Sequence, residues 1–145
     1  METIINSANK SYQLWSQKPL PDRLSFLPLL AKRLLEHKEE YAALITTEMQ
    51  KPIAQAIAEV EKCALLCAYY HENAPTFLTP KTIETEASES FVVYDPLGVI
   101  LGIMPWNFPF WQVFRFAIPT LVVGNTVVVK HASNVPKCAA VLQKL

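Results

Sequence analysis

The sequence predicts an α/β protein in which helices come first, a strand hairpin follows, and a strand–helix–strand–helix unit closes the chain. Two observations carry most of this. Leu24, Leu27, Leu30 and Leu34 recur at helical spacing. Further on, "LGVILGI" and "TVVVK" are short, β-branched apolar runs separated by a stretch long enough for a helix. Two strands joined by a helix imply a parallel pair with a right-handed crossover.

Taken in order, Asn6 to Trp15 predicts a short helix. After "KPLPD", Asp22 is the expected N-cap of one amphipathic helix that places Leu24, Leu27, Leu30, Leu34, Tyr41, Leu44 and Ile45 on a common face, with Lys32, Arg33, Lys38 and Glu39 on its solvated back. Lys51-Pro52 breaks that helix, and Pro52 suits the first turn of a second one striped by Ile53, Ile57, Val60, Ala64 and Cys67. "NAPTFLTPK" is expected to end it. Thr82 to Thr85 and Phe91 to Tyr94 then read as strands flanking a polar turn. "LGVILGI" reads as a strand buried on both faces. A helix is expected from Phe108, with Asn107 as its cap and Pro119 kinking or dividing it. Gly124-Asn125 closes that helix, "TVVVK" is the second strand, and Ser133 or Asn134 caps a last helix.

Composition excludes several partners. Thirteen basic and thirteen acidic side chains cancel, so no long-range field favours nucleic acid or an anionic membrane. The region Leu97 to Val129 is apolar enough to suggest a membrane span. However, Asn107, Gln112, Arg115 and Asn125, with Pro105, Pro109 and Pro119, interrupt it, and a buried core is the better reading. "METIINSANK" lacks the basic flank and apolar run of a secretory signal. Three cysteines do not make a disulfide framework either, which together predicts a cytoplasmic protein with reduced thiols.

In a parallel α/β sheet, ligands bind beyond the C-terminal ends of the strands. Pro105-Trp106-Asn107 follows one such end and Lys130 to Ser133 follows the other, so both polar clusters fall at the same edge. Pattern alone favours a capping role for Asn107 over a catalytic one, and a solvated role for Lys130. Arg115, flanked by Phe114 and Phe116, is expected to be buried and to need an anionic partner, either an internal carboxylate or a ligand. Cys63, Cys67 and His71 invite a metal reading. On one helix, though, the outer two lie about 12 Å apart along the axis, too far to share a zinc with bonds near 2 Å.

The segments "PLGVILGIMPWNFPFWQ" and "GNTVVVKHASNVP" resemble two stretches of the aldehyde dehydrogenase superfamily: its P-x-G-V-x-x-x-I-x-P-W-N-x-P signature, and the strand and Lys-containing turn that hold the cofactor's adenosine ribose. "ITTEMQKPIAQAIAEV" resembles the family's E-x-G-K-P stretch, with Gln50 where Gly is usual. Succinate-semialdehyde dehydrogenases are the nearest group. The resemblance implies a partial aldehyde-dehydrogenase fold. Residues 1–79 would be the helical part of the cofactor-binding domain, 80–96 a hairpin like the family's oligomerisation segment, and 97–145 the start of a Rossmann-like parallel sheet.

By the same resemblance, Asn107 is the side-chain donor of the oxyanion hole, a group worth roughly 3 kcal/mol of transition-state stabilisation. Lys130 bonds the adenosine ribose. Ile103, Met104 and Trp106 line the dinucleotide, and Phe108 and Gln112 the substrate tunnel. Arg115 matches the arginine that binds the distal carboxylate of a short aldehyde acid. Ser133 stands where members preferring NAD commonly carry a glutamate, which implies NADP, or NADP together with NAD, as cofactor. No metal is implied. The family assembles as homo-oligomers. Its nucleophilic cysteine and general-base glutamate match no position in these 145 residues, so the isolated chain is expected to be inactive. The alternative is a non-catalytic module for partial nucleotide binding or oligomer contact.

Overall fold

The computed structural model describes residues 2–145. Its elements in chain order are α1 (Glu2–Trp15), α2 (Leu20–Leu24), α3 (Phe26–Glu36), α4 (Lys38–Met49), α5 (Ile53–Leu78), β1 (Lys81–Thr82), β2 (Phe91–Val92), β3 (Val99–Ile103), α6 (Trp111–Val123), β4 (Thr126–Lys130) and α7 (Pro136–Leu142).

The leucine-rich run is three helices rather than one. Pro19 stands at the N-cap of α2, so Asp22 lies inside that helix and does not cap it. Pro28 then sits in the first turn of α3, where its missing N–H costs no helical bond. The Leu24 carbonyl that it leaves free accepts a bond from His71 Nδ1 at 3.3 Å. A second corner at His37 (φ −113°, ψ 16°) separates α3 from α4. The buried face still follows the predicted leucines: Leu24, Leu27, Leu34, Tyr41 and Ile45 are all in the core. Each such side chain contributes roughly 1.5–3 kcal/mol by leaving water.

Gln50 ends α4 in the left-handed region (φ 59°), a conformation that favours glycine. Pro52 is the N-cap of α5 rather than part of its first turn. The stripe of α5 is rotated from the expected one. Ile53 is exposed, while Ala56, Glu59, Val60, Cys63, Ala64 and Cys67 are buried. The helix ends within "NAPTFLTPK", as expected, but runs through Pro75 to Leu78, because buried Ala74 and half-buried Leu78 keep its last turn on the core.

β1 and β2 pair antiparallel in a two-residue hairpin, Lys81 opposite Val92 and Thr82 opposite Phe91. β3 and β4 pair parallel in register from Val99–Thr126 to Ile103–Lys130, the expected topology. α6 packs on one face of this pair. Gly102 permits the approach: a Cβ there would lie 2.5 Å from both Met104 Cε and Phe116 Cε1. The opposite face corrects the expectation of a strand buried on both sides. Leu101 is 61% and Ile103 71% exposed, and α1 is bonded at the start of β4, where Thr126 Oγ1 donates to the Ala8 carbonyl at 3.1 Å.

α6 is continuous across Pro119, which neither divides nor ends it. Phe114 and Ala117 before the proline and Val122 after it are buried, and they anchor both halves. Its C-terminal carbonyls are tied from a distance: Trp15 Nε1 donates to Leu121 O at 2.8 Å and Arg23 Nε to Val122 O at 3.0 Å. Gly124 (φ 112°) then turns the chain, and Asn125 Oδ1 accepts the N–H groups of Leu97 and Gly98 at 2.7 and 3.0 Å. Among the described residues, no helix is long and apolar enough to cross a membrane.

Candidate functional site

The polar residues singled out in the sequence gather where β3 and β4 end. Ile103 pairs with Lys130, and the Met104 N–H donates to the Lys130 carbonyl at 3.0 Å, extending the ladder one step past the strands. Beyond this point Trp106, Asn107 and Phe108 on one side and Lys130, Ser133 and Asn134 on the other are exposed. One edge of a two-stranded sheet therefore presents both clusters to solvent.

Asn107 is not a helix cap. α6 begins at Trp111, three residues later than expected, with Phe110 at the N-cap and no capping side chain of its own. The N–H groups of Phe110 and Trp111 instead donate to Glu59 Oε1 at 2.9 and 3.0 Å. Pro109 accounts for the delay, because a proline disfavours helical backbone at the residue before it, Phe108. The carboxylate comes from the buried face of α5 and satisfies both orphan donors at once.

The same substitution of a distant acid for a local cap occurs at α7. Val135 is at its N-cap, and neither Ser133 nor Asn134 caps it. Glu48, at the end of α4, accepts the Lys137 N–H at 2.7 Å and the Cys138 N–H at 2.9 Å. Both helix starts that face the edge are thus already occupied by carboxylates, and neither is free to hold a phosphate.

Lys51 completes the arrangement. Its ammonium is 7% exposed, pairs with Glu59 Oε2, donates to the Asn107 carbonyl at 2.9 Å, and lies 3.7 Å from the centroid of the Phe108 ring. The backbone of Asn107 is therefore pinned. Its side-chain amide makes no hydrogen bond among the described residues and stands exposed at the edge. His131 ties the two loops together, with Nε2 donating to the Pro109 carbonyl at 2.8 Å and Nδ1 accepting the Ala132 N–H at 2.8 Å.

Arg115 corrects another expectation. It is exposed on α6 and makes no ion pair among the described residues, so burial does not require it to have a partner. A helix turns about 100° per residue. Phe114 therefore points into the core while its neighbour Arg115 points out. Gln112 is half-buried one turn earlier, its N–H bonded to the Phe108 carbonyl at 3.0 Å. Trp106 is half-exposed.

None of the three cysteines is placed as a nucleophile. Cys63, Cys67 and Cys138 are fully buried. Burial pushes the Cys67 thiol up to about 12. Cys63 is raised further, by burial and then by the nearby Glu59 charge, and Cys138 by burial and then by Glu48. Their reactive thiolate form is suppressed at neutral pH.

Lys51, Glu59, Glu48 and His131 are not among the residues that the sequence pattern singles out for the site. A signal for Glu59 was present: it falls on the face of α5 shared by Ala56, Val60 and Cys63, and a carboxylate there needs a partner. Glu48 and Lys51 were visible only as letters of the "EMQKP" stretch.

A parallel strand–helix–strand–helix unit with free polar groups at the strand ends defines an α/β protein with a candidate site at that edge. Residues 1–145 match the aldehyde dehydrogenase family, and the chain belongs to that family. A probable NADP(+) succinate-semialdehyde dehydrogenase of Synechocystis is 49% identical over 141 residues, covering 97% of this chain and 31% of that protein. An NAD(P)+ succinate semialdehyde dehydrogenase of Escherichia coli is 41% identical over 145 residues, covering 31% of its length. The crystal structure of succinic semialdehyde dehydrogenase from Streptococcus pyogenes in complex with NADP+ superposes with a TM-score of 0.94 at 33% identity, covering 99% of this chain and 32% of that one. The chain thus spans about a third of the length of these relatives.

Proposed function

We propose that this chain forms the oxyanion-donating and ribose-binding part of an NADP-dependent oxidation of a short aldehyde acid, with succinate semialdehyde as the substrate. The observation that carries this reading is the state of Asn107: its backbone is pinned by Lys51 while its side-chain amide is free and faces the strand-end edge. A side chain held this way is preorganised to donate to an oxygen on which negative charge develops. The names of the relatives support the cofactor and the substrate class.

The residues present fit NADP at its ribose end. Lys130 and Ser133 are exposed, and neither Lys130 nor any neighbouring turn residue forms an ion pair among the described residues. A 2′-phosphate would meet an ammonium and a hydroxyl there, with no carboxylate paired to Lys130 among the described residues. Ile103, Met104 and Trp106 lie beside it at the end of β3, where they line the dinucleotide. NADP, when bound, accepts the hydride of the aldehyde. Asn107 holds the substrate oxygen, Phe108 and Gln112 border the substrate, and Arg115 grips the distal carboxylate with its exposed guanidinium. The nucleophile is not among Cys63, Cys67 and Cys138, which are buried and held as thiols. The part of this chain is therefore to bind, orient and stabilise charge, and turnover by the chain alone is not expected.

Calorimetric titration tests the cofactor assignment. NADP is expected to bind more tightly than NAD, and Ser133→Glu to weaken NADP at least tenfold while leaving NAD within threefold; equal affinities before and after the change would refute it. For the substrate, Arg115→Leu is expected to weaken binding of succinate semialdehyde while sparing an uncharged aldehyde of similar length. A second reading is favoured by the hairpin, where Ile83, Phe91, Val92, Val93 and Tyr94 are each between 45% and 58% exposed. Such an apolar edge suits association with another copy or an intact relative.

A further inference from the structure

The least expected group in the molecule is the buried ion pair between α5 and the corner that precedes it. Replacing a buried ion pair by apolar residues of similar volume is often neutral or stabilising, so general stability is a weak reason for one to be present. This pair has a specific set of partners. Lys51 directs its ammonium to the Glu59 carboxylate and the Asn107 carbonyl, and rests against the Phe108 ring. Glu59 gives one oxygen to Lys51 and the other to the N–H groups of Phe110 and Trp111. Every partner outside the pair lies between Asn107 and Trp111.

Within that segment Pro109 and Phe110 are buried and His131 holds the Pro109 carbonyl, whereas the start of the segment is held by less. The chain from Pro105 to Phe108 is exposed, and the bond from Lys51 is the one hydrogen bond on the Asn107 backbone among the described residues. Apolar side chains in place of the pair would fill the same space, but would offer neither a donor for the Asn107 carbonyl nor an acceptor for the start of α6.

We propose that Lys51 and Glu59 are positioning residues for Asn107: the pair fixes the backbone from which the Asn107 amide is presented. The inference rests on the reading of Asn107 as oxyanion donor, but its consequence is a local order that exists without substrate or turnover. Losing that order on removal of Lys51 is what separates positioning from general support.

The test uses ¹⁵N relaxation on the full chain. In the unmodified chain the Asn107 amide is expected to show an order parameter of about 0.85, and Lys51→Met to drop it below about 0.6 while β3 and β4 stay rigid. Lys51→Arg, which keeps a cationic donor, is expected to restore most of the order. Should Lys51→Met not fold because Glu59 is left unpaired, the double change Lys51→Met with Glu59→Gln removes both charges and keeps an acceptor for Phe110 and Trp111. Asn107 is expected to loosen there as well. A rigid Asn107 in either folded variant overturns the proposal, as does loosening of all elements together or failure of both variants to fold, since these make the pair a support of the whole fold. Asn107→Ala is judged separately, by oxyanion stabilisation in a catalytically complete assembly. A failure there sinks the functional reading and leaves the relaxation result standing.

Discussion

α6 and the outer face of the β3–β4 pair come from one apolar stretch of sequence, yet one is closed and the other open. At α6, Glu59 occupies the first N–H groups, Trp15 and Arg23 take terminal carbonyls, and Phe114, Ile118 and Val122 are buried. Across the sheet, Leu101 and Ile103 stand in solvent and Leu97 is 89% exposed. A groove of about 1490 Å³ runs along β4 between α1, α3, α6 and α7, lined by residues such as Phe26, Leu30 and Val128. The difference teaches that apolar sequence buries only where the chain supplies a second layer to cover it. A helix can find its cover among earlier helices, whereas a parallel pair needs layers on both faces.

The comparison breaks most sharply at Glu59. Glu59→Ala leaves the Lys51 ammonium and two backbone N–H groups without partners, and urea unfolding is expected to show a loss of about 3–5 kcal/mol. An effect of comparable size follows pH at the alkaline extreme. The buried thiols keep their protons in the folded chain, while the unfolded chain gives them up above its ordinary value of 9.0. Stability from Cys67 is therefore full below pH 9 and falls between there and about 12, by about 1.4 kcal/mol per pH unit per thiol. Urea midpoints at rising pH check this slope, and Cys67→Ala should make it shallower. The smallest effect belongs to the open face. Leu101→Thr with Ile103→Thr is expected to change stability by less than about 0.5 kcal/mol and to reduce self-association seen in sedimentation.

Much of the fold was legible in the sequence because its signals are local. Helical spacing located Leu27, Leu34 and Ile45 in the core, and β-branched runs located β3 and β4 with their parallel pairing. The helix starts were not legible, because the acids that cap them lie far away in sequence. Asn107 and Ser133 are good local caps by residue type, but Glu59 and Glu48 supply the carboxylates from other helices. Neither acid carries a mark of that role in its own neighbourhood. Arg115 was misjudged for a related reason: its sequence neighbours are aromatic, while its neighbours in space are set by the turn of the helix. The edge that gathers Asn107, Lys130 and Ser133 was legible from topology alone, whereas the Lys51 brace beneath it was not.

The anchoring of α1 bears on how the molecule comes into being. No residue of α1 is buried. It is held by Tyr12 on the Pro96 carbonyl, Trp15 on Leu121 and Ala8 under Thr126, across 84, 106 and 118 residues of chain. At translation speeds of 5–20 residues per second, the indole of Trp15 waits on the order of 5–20 s for the carbonyl it will hold. α1 thus leaves the ribosome well before the segments it docks on. Until β4 begins to emerge, the three distant bonds of α1 cannot all form.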